Sequence, residues 1–314
     1  MNMLSNLAFV FPGQGSQSFG MLAELAAAHP VVRESFEEAS RGCDVDLWAL
    51  SQQGPEERLN QTEFTQPALL AASVACWRAW VAAGGAQPAQ FAGHSLGEYS
   101  ALVASGAISL ADAAGLVRKR GQLMQAAVPA GTGAMAAVLG ADDGVVQSAC
   151  DDASGVEVVV PANYNSPGQV VIGGHAAAVE RAIALLADRG VRKVVKLAVS
   201  VPSHTPLMRE AARDLATAIT SIEWQMPDRP VVQNADALVH PTVIAIADAL
   251  VRQLYLPVRW SDCVRSLAAG GVTRLVECGP GKVLAGLARR IDKSLEASAI
   301  GAPADFDATL ANCR

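Results

Sequence analysis

Gly93-His94-Ser95-Leu96-Gly97 limits the folds open to this chain more than any other stretch of it. A short apolar run over 89–93 precedes it, and a helix is predicted to follow over Leu96–Ala104. Strand, abrupt turn and helix around Gly-x-Ser-x-Gly is the arrangement of a nucleophile elbow. The glycines leave room for a chain that reverses direction without β-carbons crowding the serine. At such a turn the Ser95 hydroxyl would stand above a sheet edge, with the helix N-terminus supplying a free N–H beside it. The pentapeptide by itself is equally consistent with a Gly-Ser turn or a serine N-cap.

The surrounding pattern supports a sheet of this kind. Leu7–Phe11 is a buried-strand run ending in a second glycine turn, Pro12-Gly13-Gln14-Gly15. Helical periodicity covers about 20–44, 66–83 and 110–127, so strands and helices alternate as in an α/β fold with a largely parallel sheet. The middle differs. Strand 133–139, helix 142–153, strands 156–162 and 169–173, helix 175–188 and strand 191–198 give the order βαββαβ, a ferredoxin-like unit. Residues 131–199 are expected to form this inserted subdomain. It would interrupt a larger domain made of 1–130 and 200–314. Helices at 206–220, 242–255, 260–269 and 282–290, with strands near 230–232 and 272–277, continue the α/β pattern.

Composition excludes several function classes. The chain of 314 residues carries a net charge of −6, which argues against broad nucleic-acid binding. No apolar run reaches the roughly 18 residues of a membrane span. No signal-peptide pattern opens the sequence, and a cytoplasmic location is expected. Cys43, Cys76, Cys150, Cys263, Cys278 and Cys313 are scattered without a Cys-x-x-Cys pair, so free thiols are expected, with no zinc site.

A serine nucleophile needs a base. Of five histidines, His29 reads as surface, His175 as a helix start and His240 as a loop residue before Pro241. His94 adjoins Ser95, and neighbours in an elbow are expected to point apart. His204 remains, in the proline-flanked loop Val201-Pro202-Ser203-His204-Thr205-Pro206 where the chain returns to the main sheet. Arg120 is the other anomaly. Leu116, Arg120, Leu123, Met124 and Ala127 share one helix face, while Arg118 and Lys119 tend towards solvent. A guanidinium on an apolar face requires an anionic partner. The residues alone allow an internal salt bridge, a snorkelling side chain or a bound substrate carboxylate.

Phe11-Pro12-Gly13-Gln14-Gly15-Ser16-Gln17 together with Gly93-His94-Ser95-Leu96-Gly97-Glu98 resembles the signature pair of acyl-carrier-protein transacylases. The resemblance runs through Thr65-Gln66-Pro67-Ala68, Arg120-Gly121, Asn163-Tyr164-Asn165-Ser166-Pro167-Gly168-Gln169, Val201-Pro202-Ser203-His204, Val251-Arg252-Gln253-Leu254 and Glu277-Cys278-Gly279-Pro280-Gly281. These motifs keep family order from about residue 7 to 290, and the match is to the malonyl-CoA type of bacterial type II fatty-acid synthesis.

The resemblance implies a hydrolase-like large domain with a ferredoxin-like insert. It implies Ser95 as nucleophile, His204 as base and the N–H groups of Gln14 and Leu96 as oxyanion hole. Gln253 would take the second ring N–H of His204 in place of a hydrolase Asp. Arg120 would hold the malonyl carboxylate, and Met124, Asn165 and Gln66 would line the pocket. Ser203 falls where related polyketide acyltransferases vary with acyl choice and often carry Phe for malonyl; malonyl remains the expected group. No metal or redox cofactor is implied. The substrates would be malonyl-CoA and phosphopantetheinylated acyl carrier protein, and the chain a monomer.

Carrier proteins are acidic, so Arg192, Lys193, Lys196, Arg118 and Lys119 are candidate docking charges, although ordinary solvated charge explains each singly. Three alternatives stay open at this stage: the malonyl-transferring subunit of a malonate decarboxylase, a serine thioesterase or esterase, and a catalytically silent scaffold.

Overall fold

The computed structural model describes residues 2–129, 131–199 and 201–313. Its largest sheet has five parallel strands in the order β7-β2-β1-β8-β9: β1 Met3–Phe11, β2 Gln87–Gly93, β7 Val231–Val232, β8 Arg274–Glu277 and β9 Glu296–Ala299. β1 lies at the centre, and its Leu7–Phe11 run is fully buried. Alternation then divides that run between two cores. Leu7, Phe9 and Phe11 face one set of helices, and Ala8 and Val10 face the other.

The first face is covered by helices Val31–Cys43, Thr62–Ala82, Gly97–Ala104 and Leu110–Ala126. Helix Thr62–Ala82 is buried on almost every side, as its near-continuous apolar sequence requires. Gly121 lets helix Leu110–Ala126 approach it, because a β-carbon there would press on the backbone of Thr62 and Glu63. Helices Trp260–Ala269 and Val283–Ile291 cover the opposite face. No helix among the described residues is long and apolar enough to cross a membrane.

A second sheet is antiparallel, with four strands in the order β4-β5-β3-β6: β3 Gly133–Leu139, β4 Val159–Ser166, β5 Gln169–His175 and β6 Lys193–Lys196. Helices Asp143–Ala153 and Ala176–Asp188 pack on one of its faces around Val138, Val146, Val159, Ile172 and Leu186. The other face carries Met135, Ala162 and Val171. Backbone hydrogen bonds through Val258 join β4 to the rest of the chain, at 2.9 Å from Tyr164 N and 2.9 Å to Ala162 O.

Several predicted elements shift. The stretch 20–44 is two helices, Ala23–Ala28 and Val31–Cys43, divided at His29-Pro30 where proline restricts the residue before it. The strand predicted at 156–162 runs over Val159–Ser166, because Ser154 and the loop after it complete the turn first. Helices Leu47–Gln53, Glu56–Leu59 and Pro303–Asn312 and strand β9 carry no counterpart in the predicted pattern. All six cysteines are buried free thiols.

Candidate active site

β1 and β2 are adjacent, and their carboxyl ends place the two glycine turns side by side. His94 N donates to Phe11 O at 2.9 Å. The elbow glycines are sterically required. A β-carbon on Gly93 would overlap Gly97, and one on Gly97 would overlap the Phe11 carbonyl. Gly13 packs against the His94 carbonyl in the same way. The turn holds Ser95 at φ 52°, a left-handed conformation that non-glycine residues rarely adopt. The backbone around it is fastened by Asn234, whose Oδ1 accepts from Ser95 N at 2.7 Å while its Nδ2 donates to Gly93 O at 2.7 Å.

His204, also left-handed at φ 62°, brings its Nε2 to 2.7 Å from Ser95 Oγ. Its own N–H donates to Leu254 O at 3.1 Å, which fixes the loop against the end of helix Val243–Gln253. Nδ1 lies 2.7 Å from the main-chain carbonyl of Gln253. A carbonyl only accepts, so Nδ1 carries the proton and Nε2 is the basic nitrogen facing the serine. Burial, then the Arg120 charge, push the His204 pKa down to about 3, so the ring is neutral near pH 7.

Gln253 takes the second ring N–H of His204 through its main-chain carbonyl. The acceptor that orients His204 is backbone, because the side chain is committed elsewhere. Gln253 Oε1 accepts from Arg120 Nη2 at 3.0 Å, and Nε2 donates to Ser95 O at 2.9 Å and to Glu98 Oε2 at 3.1 Å.

Arg120 is 1% exposed, on the apolar helix face the spacing predicted. Its partners are neutral: Gln66 Oε1 at 2.8 Å, Gln253 Oε1 and Ser95 Oγ at 3.2 Å, with the Tyr99 ring 5.6 Å from the guanidinium carbon. No carboxylate among the described residues forms an ion pair with it. Burial lowers its pKa, against the raising effect of the Glu98 charge, which is linked to it by hydrogen bonds through the Gln253 amide. Arg118 does not tend towards solvent. Glu63 holds it at 2.9 Å, and Cys43 O accepts from it at 2.6 Å.

A cavity of about 130 Å³ opens at this point, with Gln14, His94, Ser95, Leu96, Arg120, Met124 and His204 in its wall and Met135, Leu197 and Val199 from the second sheet's side. The N–H groups of Gln14 and Leu96 donate to no acceptor among the described residues. Met124 lines the cavity as expected. Gln66 and Asn165 do not; each stands one layer behind. Gln66, fully buried, supports Arg120 and donates to Met124 Sδ at 3.5 Å. Asn165 Oδ1 lies 2.8 Å from His94 Nε2.

His94 also contributes to the cavity wall, with its Nε2 committed to Asn165. His29 is less exposed than expected, with its ring 4.8 Å from that of Phe306. His175 Nδ1 accepts from Val158 N at 3.0 Å, and His240 lies 3.3 Å from Asp236.

Glu98 and Asn234 are site residues to which the sequence reading gave no role. Glu98 is fully buried and accepts from Gln233 Nε2 at 3.0 Å, Asn234 N at 2.7 Å and Gln253 Nε2. Burial pushes its carboxyl up to about 7, against these three donors and Arg120, which act to lower it.

A part-buried serine–histidine pair at the end of a parallel sheet, in a cavity also lined by Gln14 and Leu96 whose amides have no partner among the described residues, defines a site suited to acyl transfer. The acyl transferase domain model matches residues 8–301, and the chain belongs to that family. It is 55% identical over 98% of its length, and 99% of theirs, to the malonyl CoA-acyl carrier protein transacylases of Salmonella typhimurium and Escherichia coli K12. The crystal structure of malonyl-CoA:acyl carrier protein transacylase from Xanthomonas oryzae pv. oryzae is 66% identical, covers 99% of each chain and superposes with a TM-score of 0.98. A malonyl-transacylase solved in complex with its type II PKS acyl-carrier protein is 52% identical over 98% of this chain and 99% of that one, with a TM-score of 0.96.

Proposed function

We propose that this acyltransferase moves a malonyl group from malonyl-CoA to the phosphopantetheine thiol of acyl carrier protein, through a malonyl ester of Ser95. His204 Nε2 takes the Ser95 proton as Oγ attacks the thioester carbonyl. The C–S bond breaks, and the departing CoA sulfur receives that proton. The carrier thiol then gives its proton to His204 and attacks the ester, and Ser95 leaves with the proton returned. The amides of Gln14 and Leu96 stabilise the oxyanion of each tetrahedral intermediate; their unpaired state beside Ser95 supports this role. Gln253 orients His204 through its carbonyl. Met124 shapes the acyl pocket, with Gln66 and Asn165 bracing Arg120 and His94.

One observation carries the malonyl assignment: a buried guanidinium 3.2 Å from Ser95 Oγ with no carboxylate among the described residues paired to it. An arginine kept charged and unneutralised beside the nucleophile is suited to a carboxylate brought by the acyl group. Arg120→Ala tests it. Malonyl loading should fall at least about 100-fold, the scale of a lost buried charge pair of roughly 3 kcal/mol, while acetyl loading changes little. Equal loss for both acyl groups removes the carboxylate role.

Residues 131–199 fit a ferredoxin-like subdomain inserted into a discontinuous hydrolase-like domain of 1–130 and 200–314; the strand order β4-β5-β3-β6 with two helices on one face supports this. Thioester exchange transfers no electrons and needs no metal, so the reading includes no cofactor beyond the two substrates. It places the enzyme in the cytoplasm as a monomer, with acyl carrier protein as its partner.

A further inference from the structure

We propose that Glu98 is a positioning residue that sets malonyl selectivity: its carboxylate fixes the Gln253 side chain so that Gln253 Oε1, and not its amino group, meets Arg120. This rests on the carboxylate-binding role of Arg120 proposed above. A glutamine amide can sit in its density of contacts either way round, and its neighbours decide. Here the Nε2 end faces three acceptors, Ser95 O at 2.9 Å, Glu98 Oε2 at 3.1 Å and, more weakly, Asn234 Oδ1 at 3.4 Å, and the Oε1 end faces Arg120 Nη2 at 3.0 Å. Turning the amide would set N–H groups against the guanidinium.

Glu98 receives two further donors, Gln233 Nε2 and Asn234 N, and Asn234 Oδ1 in turn holds the Ser95 amide. Three donors converge on one carboxyl group that has no access to the cavity or solvent. A side chain that carries a donor of its own cannot satisfy all three. Glu98 thus reaches the site by two routes, through Asn234 to the Ser95 backbone and through Gln253 to Arg120, and only the second distinguishes a carboxylated acyl group from a neutral one.

Replacing Glu98 by Leu removes the acceptor from Gln253 Nε2, whereas Gln could keep its oxygen at the Oε2 position that serves both Asn234 N and Gln253 Nε2. The full-length protein is loaded from malonyl-CoA and from acetyl-CoA in single turnovers at about pH 8, above the about 7 of Glu98, and read by intact mass. Glu98→Leu should lower the malonyl-to-acetyl rate ratio about tenfold or more, and in a Gln253→Leu background it should lower that ratio less than about twofold further. An unchanged ratio, or effects that multiply in the double variant, overturns the proposal. Should Glu98→Leu not accumulate as folded protein, Glu98→Asp, which withdraws the acceptor by one methylene, is read by the same ratio. Arg120→Ala runs alongside. If it lowers both acyl groups equally, the underlying carboxylate role fails; if it is selective and the Glu98 variants are not, only the positioning role fails.

Discussion

Ser95 and His204, 109 positions apart, are both held in left-handed backbone, at φ 52° and φ 62°, with Oγ and Nε2 2.7 Å from each other. Two unusual conformations meet at one hydrogen bond. The glycines around Ser95 and the Leu254 carbonyl bonded to His204 N keep the pair in place. His204→Ala should lower the rate of Ser95 loading by roughly 10²–10⁴-fold, the usual size of a general-base contribution. Rapid-quench intact mass measures this, and a loss under about tenfold argues against His204 as the base.

Because a main-chain carbonyl orients His204, removing the Gln253 side chain should be milder than removing the histidine. Gln253→Leu leaves the 2.7 Å contact to Nδ1 available and removes the amide's bonds to Arg120, Ser95 O, Glu98 and Asn234. Malonyl loading should drop about tenfold or more, yet stay well above that of His204→Ala. Equal rates for the two variants would mean that the side chain, not the backbone, directs the base.

The depressed pKa of His204 has a definite sign. Its folded value of about 3 lies below its ordinary 6.5, so below pH 6.5 the unfolded chain binds a proton the folded chain does not. Its contribution to stability is complete above pH 6.5 and is lost as pH falls towards 3. Titration by ¹⁵N imidazole NMR should show the His204 ring neutral, with the proton on Nδ1, from about pH 8 down to about pH 5. An inflection near 6.5 contradicts the buried, Arg120-facing geometry.

Of the candidate carrier contacts, Arg118 is engaged by Glu63 and Lys196 by Glu180. Arg192 and Lys193 are exposed and form no ion pair among the described residues. Lys193→Glu should therefore raise the apparent KM for carrier protein several-fold, on the order of 1 kcal/mol of lost complementarity, and leave malonyl-Ser95 formation from malonyl-CoA unchanged. Steady-state kinetics with carrier varied reads this; an unaltered KM places docking elsewhere.

Where periodicity and termini agreed, the sequence was legible. Strand Gly133–Leu139 and helix Trp260–Ala269 fall where apolar spacing put them, each bounded by glycine or a turn. β9 was not legible, because Glu296–Ala299 is four small or polar residues whose strand character comes from pairing with β8. Ser95, His204 and Arg120 could be found because a serine motif, a proline-framed loop and a charge on an apolar face each leave a local mark. Asn234 leaves none: it is one polar residue after a two-residue strand, and its importance lies in bonds to Ser95 and Gly93, which are 139 and 141 positions away. Glu98 was visible as part of a motif, but its helix starts with an acidic residue for an ordinary dipolar reason as well. Its full burial comes from tertiary packing that the motif does not encode.

Intact mass spectrometry after mixing with malonyl-CoA tests the central claim most directly. The protein should gain one malonyl group, Ser95→Ala should gain none, and phosphopantetheinylated acyl carrier protein should discharge the ester and carry the malonyl group itself. Labelling that survives in Ser95→Ala, or an ester that water releases as malonate while carrier protein stays unloaded, would contradict it.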